Sequence, residues 1–159
     1  YRSMMRSDEN SWNIRDGHMM ETLDRLLERH GEGAKAIVWA HNTHIGDYRA
    51  TDMKDQGYVN IGGLARKLYG DDNVALVGFG SFQGEVLASN AWGAPEQVMP
   101  LPPARDGSYE CLFHKISQKG QTNYFYLDLH GPLEKELSKV RNHRAVGVVY
   151  NSKNEYRSN

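Results

Sequence analysis

The sequence has little cysteine, almost no net charge and no long apolar run, and each absence excludes a class of protein. Cys111 is the one cysteine among 159 residues, so no internal disulfide can form, which suits a reducing compartment. Nineteen basic against twenty acidic residues leave a formal charge of −1, so no overall field attracts nucleic acid or anionic lipid. Because neither a secretory nor a membrane-spanning run appears, we expect a cytoplasmic protein that acts on a small molecule, without nucleic-acid or membrane partners.

The length and composition indicate a folded protein. A chain of 159 residues is close to the usual size of one domain, and a mean hydropathy of −0.69 with 25% charged residues is far from a disordered composition. Tyr1 stands where an initiator Met would be, and the sequence stops at Asn159 in a polar stretch. We therefore expect residues 1–159 to be part of a single domain of a longer protein.

Helical and strand patterns alternate along the chain. Periodic apolar residues predict helices over 10–30 and 61–69, a helix capped by Ser108, and a short charged helix over 133–140. Short apolar runs predict strands over 36–40, 73–79, 124–129 and 145–150. Residues 80–89 are expected to form a bent strand or hairpin, and residues 95–103 a proline-rich surface segment. The alternation predicts an α/β fold with a largely parallel sheet flanked by helices, and ligands beyond the carboxyl ends of its strands.

The strongest local signal for chemistry is His41-Asn42-Thr43-His44, directly after the first predicted strand. A neutral imidazole beside a water molecule acts as a general base in hydrolysis, and the second imidazole holds or polarises the substrate. In a purely structural alternative, the histidines only bond to backbone around the strand exit. A third alternative is a divalent metal site, because His41, His44 and Asp47 are suitable ligand types, although the helical H-E-x-x-H signature is absent.

The residues after this motif are candidates for substrate binding. Arg49 either stabilises an oxyanion or carboxylate with its guanidinium or pairs with a neighbouring aspartate on the surface. Tyr48, together with Trp92 and Tyr109, is a candidate to line a pocket for a bulky apolar substrate, although such aromatic residues also serve as core or rim.

Other chemistry-bearing residues are weaker candidates. Asp128 and His130 follow the third predicted strand and are therefore second candidates for the same sheet edge. Ser81 is not at a nucleophile elbow, because glycine is missing two residues to each side, and the glycines of 78–84 are interpreted as a tight turn. Cys111 lies in the middle of a predicted helix and is interpreted as a packed thiol.

Several ordered blocks carry a resemblance that covers nearly the whole chain. They are Val38-Trp39-Ala40-His41-Asn42-Thr43-His44, Val77-Gly78-Phe79-Gly80 with Gly84, Pro102-Pro103-Ala104 with Gly107-Ser108-Tyr109, and Gly147-Val148-Val149-Tyr150, preceded by Asn13-Ile14-Arg15-Asp16 and Met19. Together they resemble the erythromycin esterase family. That family includes enzymes that hydrolyse the macrolactone ester of erythromycin-type antibiotics, and relatives labelled as succinoglycan-biosynthesis proteins.

The resemblance implies hydrolysis of a macrolactone-type ester by histidine-assisted activation of water. His41 and His44 match the histidine pair of the family's W-A-H-N-x-H block in the active-site cleft, and Asn42, Tyr48 and Arg49 are then expected to bind substrate. The family's principal glutamate and histidine belong to a block with no match here, so part of the site is expected outside this chain. A divalent metal stays open. The alternatives are a non-catalytic small-molecule-binding module of the same fold and a metal-dependent hydrolase of another substrate.

Overall fold

The computed structural model describes residues 9–129, 131–132 and 134–152. The chain divides into two units, Tyr1–Phe79 and Gly80–Asn159. The first unit is helical, and the second combines a small sheet with helices. The prediction of a single domain stays a prediction.

The described part of the first unit contains the α-helices α1 (Glu9–His30), α2 (Asn42–Ile45) and α3 (Ile61–Tyr69), with short 3-10 helices at Tyr48–Ala50 and Asp71–Asn73. Helix α1 packs against α3 through a core in which Met20 and Ala65 are buried. Ile61 completes the buried set, and the partly buried side chains around it are Met19, Leu23, Leu64, Tyr69 and Val74. The apolar stripe of α1 recurs at helical spacing, which is why one face of this helix is covered while the other meets solvent.

Helix α3 begins against the short helix α2, and two features of its first turn make this approach possible. The buried side chain of Asn60 caps α3, since its Oδ1 accepts the backbone N–H of Gly63 at 3.1 Å. A Cβ added at Gly62 would overlap the backbone carbonyl groups of Ile45 and Gly46. Only glycine therefore allows α3 to lie this close to α2.

The sheet of the second unit has two antiparallel strands, β1 (Gly84–Ala88) and β2 (Gln97–Leu101). Its buried face carries Ala88 from β1 with Met99 and Leu101 from β2, and the fully buried ring of Tyr150 completes this core. A single parallel bridge joins Ser89 to Val149 beyond the end of β1.

Two helices follow the sheet: α4 (Tyr109–Gly120) and α5 (Glu134–Leu137). Ser108 caps α4, because its hydroxyl accepts the backbone N–H of Cys111 at 3.1 Å. Cys111 is buried, so the prediction of a packed thiol is confirmed. The helices predicted over 10–30 and 61–69, and the one capped by Ser108, are also confirmed.

The predicted α/β fold with a largely parallel sheet is wrong. The described ranges contain one two-stranded antiparallel sheet and helices. Residues 36–40 are not a buried strand: Ile37 is 96% exposed and Trp39 86% exposed, and this part of the described chain makes no backbone hydrogen bond to another segment. A short apolar run is compatible with a strand, but it does not specify which segment satisfies its N–H and C=O groups.

The proline-rich surface segment predicted over 95–103 is wrong as well, since Gln97–Leu101 form β2. Pro100 lies within this strand, opposite Glu85. Proline removes one ladder donor and is confined to edge strands, and both strands of a two-stranded sheet are edges.

Candidate functional site

A buried carboxylate–imidazole pair joins α1 to α2. Nδ1 of His44 lies 2.9 Å from both Oδ1 and Oδ2 of Asp16. The side chain of Asp16 is fully buried, and that of His44 is only 17% exposed. A carboxylate at this depth is costly without a hydrogen-bonding partner, so the imidazole and the acid stabilise each other's position.

An aromatic ring and a cation enclose His44 further. The ring of Trp12 stacks on the imidazole with centroids 4.5 Å apart and planes inclined by 4°. The guanidinium of Arg15 lies 4.8 Å from the centre of the Trp12 ring, and its Nη2 lies 3.2 Å from Nε2 of His44. Because a guanidinium only donates, Nε2 accepts, and neutral His44 carries its proton on Nδ1, donated to Asp16.

His41 has the opposite tautomer. Its exposed side chain caps α2, where Nδ1 accepts the backbone N–H of Thr43 at 3.3 Å and lies 2.9 Å from the Thr43 hydroxyl. An accepting Nδ1 places the proton of neutral His41 on Nε2. The two histidines therefore differ in function: Nε2 of His41 is a donor, and Nε2 of His44 is an acceptor.

Asn42 and Tyr48 shape the segment that carries the histidines, which consists of α2, its N-cap and the residues that follow. The amide of Asn42 is bonded at both ends to Phe79, donating to its carbonyl at 2.5 Å and accepting its N–H at 3.1 Å. The backbone N–H of Tyr48 donates to the buried Asn60 at 3.2 Å. A Cβ on Gly63 would overlap the Tyr48 ring, so this half-buried ring lies directly on α3.

Arg49 is held in a surface network of ion pairs. Its Nε and Nη2 donate to the two carboxylate oxygens of Asp47 at 2.9 and 2.7 Å, and Nη2 also donates to Asp71 at 2.8 Å. The hydrogen bond from Arg49 is the main reason that the pKa of Asp47 lies below its usual value, although burial opposes this. Of the two alternatives for Arg49, pairing with an aspartate is thus observed, and substrate binding stays a prediction.

The residues do not fit the divalent metal site left open by the sequence. Nδ1 of His44 is taken by Asp16, Nε2 lies against Arg15, and Asp47 is paired with Arg49. Across the described ranges, no group of three or more His, Cys, Asp or Glu side chains is arranged to hold an ion.

Sequence reasoning missed the acid that holds His44. Asp16 is followed by Met19, Met20 and Leu23 at the i+3, i+4 and i+7 positions of α1, so it lies on the buried stripe of the helix. A carboxylate on an apolar stripe requires a partner, and this signal was available before the structure. The proximity of Trp12 and Arg15 to His44 had no comparable local signal.

The second candidates from the sequence belong to the second unit or lie outside the described residues. Asp128 is exposed and lies in an irregular segment of the second unit. His130 lies outside the described residues. Trp92 is 82% exposed, and the hydroxyl of Tyr109 donates to the carbonyl oxygens of Leu137 and Lys139. The aromatic pocket suggested for Tyr48, Trp92 and Tyr109 stays a prediction.

Comparison with known proteins agrees with the ordered sequence blocks. No significant match to a solved structure was found. Within the described ranges, none of the helices has both the length and the apolar character needed to cross a membrane. The family model described as erythromycin esterase matches residues 1–159. The chain therefore belongs to the erythromycin esterase family, whose name denotes the hydrolysis of an ester.

Proposed function

We propose that the chain forms part of a hydrolase that cleaves a macrolactone-type ester, with His44 activating water and part of the site lying outside this chain. Membership of the family supports ester hydrolysis. The observation that carries the mechanism is the contact of both oxygens of the buried Asp16 with Nδ1 of His44 at 2.9 Å. An acid that fixes the tautomer and orientation of an imidazole is the usual support of a histidine general base.

In the proposed step, Nε2 of His44 takes a proton from water while the water oxygen bonds to the ester carbonyl carbon. Asp16 stabilises the imidazolium that results. The tetrahedral intermediate then collapses, the bond from carbon to the alkoxide oxygen breaks, and His44 returns its proton to that oxygen. The products are a carboxylic acid and an alcohol, so atoms and charges balance without a cofactor.

Arg15 and His41 supply charge and hydrogen bonds for this step. Arg15 occupies Nε2 of His44 here, and its side chain is 38% exposed. A water molecule at Nε2 displaces the guanidinium, which remains near the negative charge that develops on the carbonyl oxygen. His41, with its proton on Nε2, is assigned to polarise the same carbonyl.

Substrate binding is assigned to the residues that follow the histidines. The exposed guanidinium of Arg49 and the half-buried ring of Tyr48 lie in the short 3-10 helix that follows α2, the helix that carries His44. Asn42 contributes indirectly, because both ends of its amide are bonded to Phe79 and hold the start of α2 in place.

The test is hydrolysis of erythromycin by the protein that contains this chain, followed by mass spectrometry. His44→Gln is expected to lower kcat by about 10²- to 10⁴-fold, the usual contribution of a general base. The matched control is His30→Gln, the same substitution at an exposed position in the last turn of α1, which should leave kcat unchanged. An unchanged rate in His44→Gln would contradict the assignment. Erythromycin binding without turnover in the unsubstituted protein would instead favour the non-catalytic binding module.

A further inference from the structure

The second unit contains another carboxylate–imidazole pair, formed by Glu110 and His143. Oε1 of Glu110 lies 2.7 Å from Nδ1 of His143. The Glu110 side chain is 2% exposed, whereas that of His143 is 49% exposed. A buried acid thus holds one nitrogen of a ring whose other side meets solvent.

Hydrogen bonds to α4 and to the residues that flank the two strands fix the position of His143. Glu110 lies in the first turn of α4, where the helix dipole favours a carboxylate, and its Oε1 also accepts the backbone N–H of Arg144 at 2.9 Å. The Arg144 guanidinium donates to the carbonyl oxygens of Phe82 and Pro102, each at 2.8 Å. The segment that carries His143 is therefore held to α4 by Glu110, and to the residues that flank the sheet, Phe82 and Pro102, by Arg144.

One oxygen of Glu110 and one nitrogen of His143 make no hydrogen bond to the described residues. Oε2 of Glu110 is buried without a hydrogen-bond partner, which is costly for a carboxylate oxygen. Beside it lies a cavity with room for about one water molecule, lined by Glu110, His143, Ser108 and Asn142 among others. Nε2 of His143 has no hydrogen-bond partner within the described part of the chain.

We propose that Glu110 and His143 form a second proton-transfer site, which holds a water molecule and accepts a proton from it through Nε2 of His143. Glu110 is the positioning residue, because its bond to Nδ1 places the accepting lone pair on Nε2. Toward an ester, the water oxygen bonds to the carbonyl carbon and its proton moves to Nε2. The proton passes to the alkoxide oxygen when the carbon–oxygen bond breaks. This site goes beyond the function proposed for Asp16 and His44 and uses none of their atoms.

The charges around His143 set the pH range in which it acts. The hydrogen bond to Glu110 raises the pKa of His143, against the effect of burial. Arg105 and Arg144 line the same cavity and bring positive charge to it. Because only neutral His143 accepts a proton, the rate should rise with pH through a pKa above the ordinary value of 6.5.

The first test is nitrogen-15 NMR of the whole chain, in which His143 is assigned by the His143→Gln variant. Neutral His143 is expected to carry its proton on Nδ1, and Glu110→Gln should lower the pKa of His143. The control is Glu136→Gln, which removes an exposed acid paired with Lys139 and Arg141 and should leave that pKa unchanged. A proton on Nε2 of neutral His143, or a pKa unaffected by Glu110→Gln, would overturn the proposal.

The second test separates proton transfer from a purely structural clamp. Hydrolysis of p-nitrophenyl acetate is measured in the His44→Gln background, so that the Asp16–His44 site does not contribute. Adding His143→Gln is expected to lower the remaining rate by about tenfold or more, whereas adding His30→Gln should not change it. A remaining rate that His143→Gln leaves intact, or no remaining rate at all, would overturn this proposal without touching the first site. Since His143 is exposed, its variant should fold even if Glu110→Gln does not, which circular dichroism checks.

Discussion

The two units each contain an acid buried against a histidine, but the imidazole is exposed to solvent to different extents in the two pairs. Asp16 and Glu110 are both almost inaccessible, at 0% and 2% exposed. His44 is covered by the Trp12 ring and has Arg15 at its second nitrogen. His143 is half exposed, and no aromatic ring stacks on it among the described residues. Burial of the acid is thus common to both pairs, and access to Nε2 is what distinguishes them.

This difference determines what limits each base. At His44 a water molecule must displace the guanidinium of Arg15. Once there, it lies in an enclosed site, in which charges interact strongly. At His143 water reaches the ring directly, but solvent screens the developing charge. We therefore expect the enclosed pair to contribute more to catalysis and the open pair to respond more simply to pH.

The largest expected effect is that of Asp16→Asn on ester hydrolysis. The amide of asparagine donates to Nδ1 of His44 and forces the proton onto Nε2, where it faces Arg15. His44 then cannot accept a proton, and kcat should fall by about 10³- to 10⁴-fold.

The equivalent change, Glu110→Gln, should lower the remaining rate in the His44→Gln background by only about tenfold, because solvent still reaches His143. Equal losses at the two sites would contradict the distinction drawn from their exposure.

The next largest effect should come from Gly62→Ala, which acts on the first unit alone. Its Cβ would overlap the backbone carbonyl groups of Ile45 and Gly46, and backbone atoms cannot yield as a flexible side chain does. We expect the free energy of unfolding to fall by about 3 kcal/mol, the upper range for overpacking. Urea denaturation measures this, and NMR should show the His44 signals shifted and those of His143 unchanged.

Gly17→Ala is the matched control for that substitution. A Cβ at Gly17 meets no atom within 4 Å, and the residue lies within α1. Alanine should therefore stabilise the helix by up to about 1 kcal/mol. If both variants lost stability equally, the close approach of α3 to α2 would not be what positions His44.

The longer helices α1, α3 and α4 were predictable from sequence because their signals are local, whereas the four-residue helix α2 was not predicted. Apolar spacing and caps such as Ser108 lie within a few residues of the element they define, and α3 begins and ends at the predicted residues. The sheet was not predictable, because strand pairing is a relation between distant segments. Residues 36–40 have the composition of a buried strand, yet Ile37 is 96% exposed.

In the candidate site, too, the local motif was predictable from the sequence and the contacts between distant residues were not. The motif at residues 41–44 identified both histidines, since adjacent polar residues after an apolar run are visible locally. The opposite tautomers of His41 and His44 were not visible, because Asp16 and Arg15 reach His44 from 28 and 29 residues away. A rule that seeks acids on apolar helical stripes would have found Asp16.

A smaller effect is expected from His143→Gln on stability as a function of pH. Burial raises the pKa of Glu110, but the hydrogen bonds from His143 and Arg144 together outweigh it and lower this pKa, while the hydrogen bond to Glu110 raises the pKa of His143. The acid therefore stabilises the fold above its ordinary pKa of 4.5, and the histidine does so below its ordinary pKa of 6.5. His143→Gln should cost most stability between these two values, and less as the pH rises through the raised pKa of His143 or falls through the lowered pKa of Glu110. Thermal denaturation across this range measures the difference, and a pH-independent loss would show that the pair is not ionised.

The smallest expected effect is that of Tyr69→Phe, which tests whether the α1–α3 contact can be weakened without disturbing His44. The Tyr69 hydroxyl donates to Asp24 on α1 at 2.6 Å. Burial, together with this bond and the charges of Asp24 and Glu28, raises the pKa of Tyr69 to about 12. Removing the hydroxyl should lower the free energy of unfolding by about 1 kcal/mol, and the late step of the tyrosine absorbance titration should disappear. Because Asp24 lies two helical turns from Asp16, the His44 signals should stay in place. Their displacement would mean that the enclosed pair depends on the whole α1–α3 contact and not on its first turns alone.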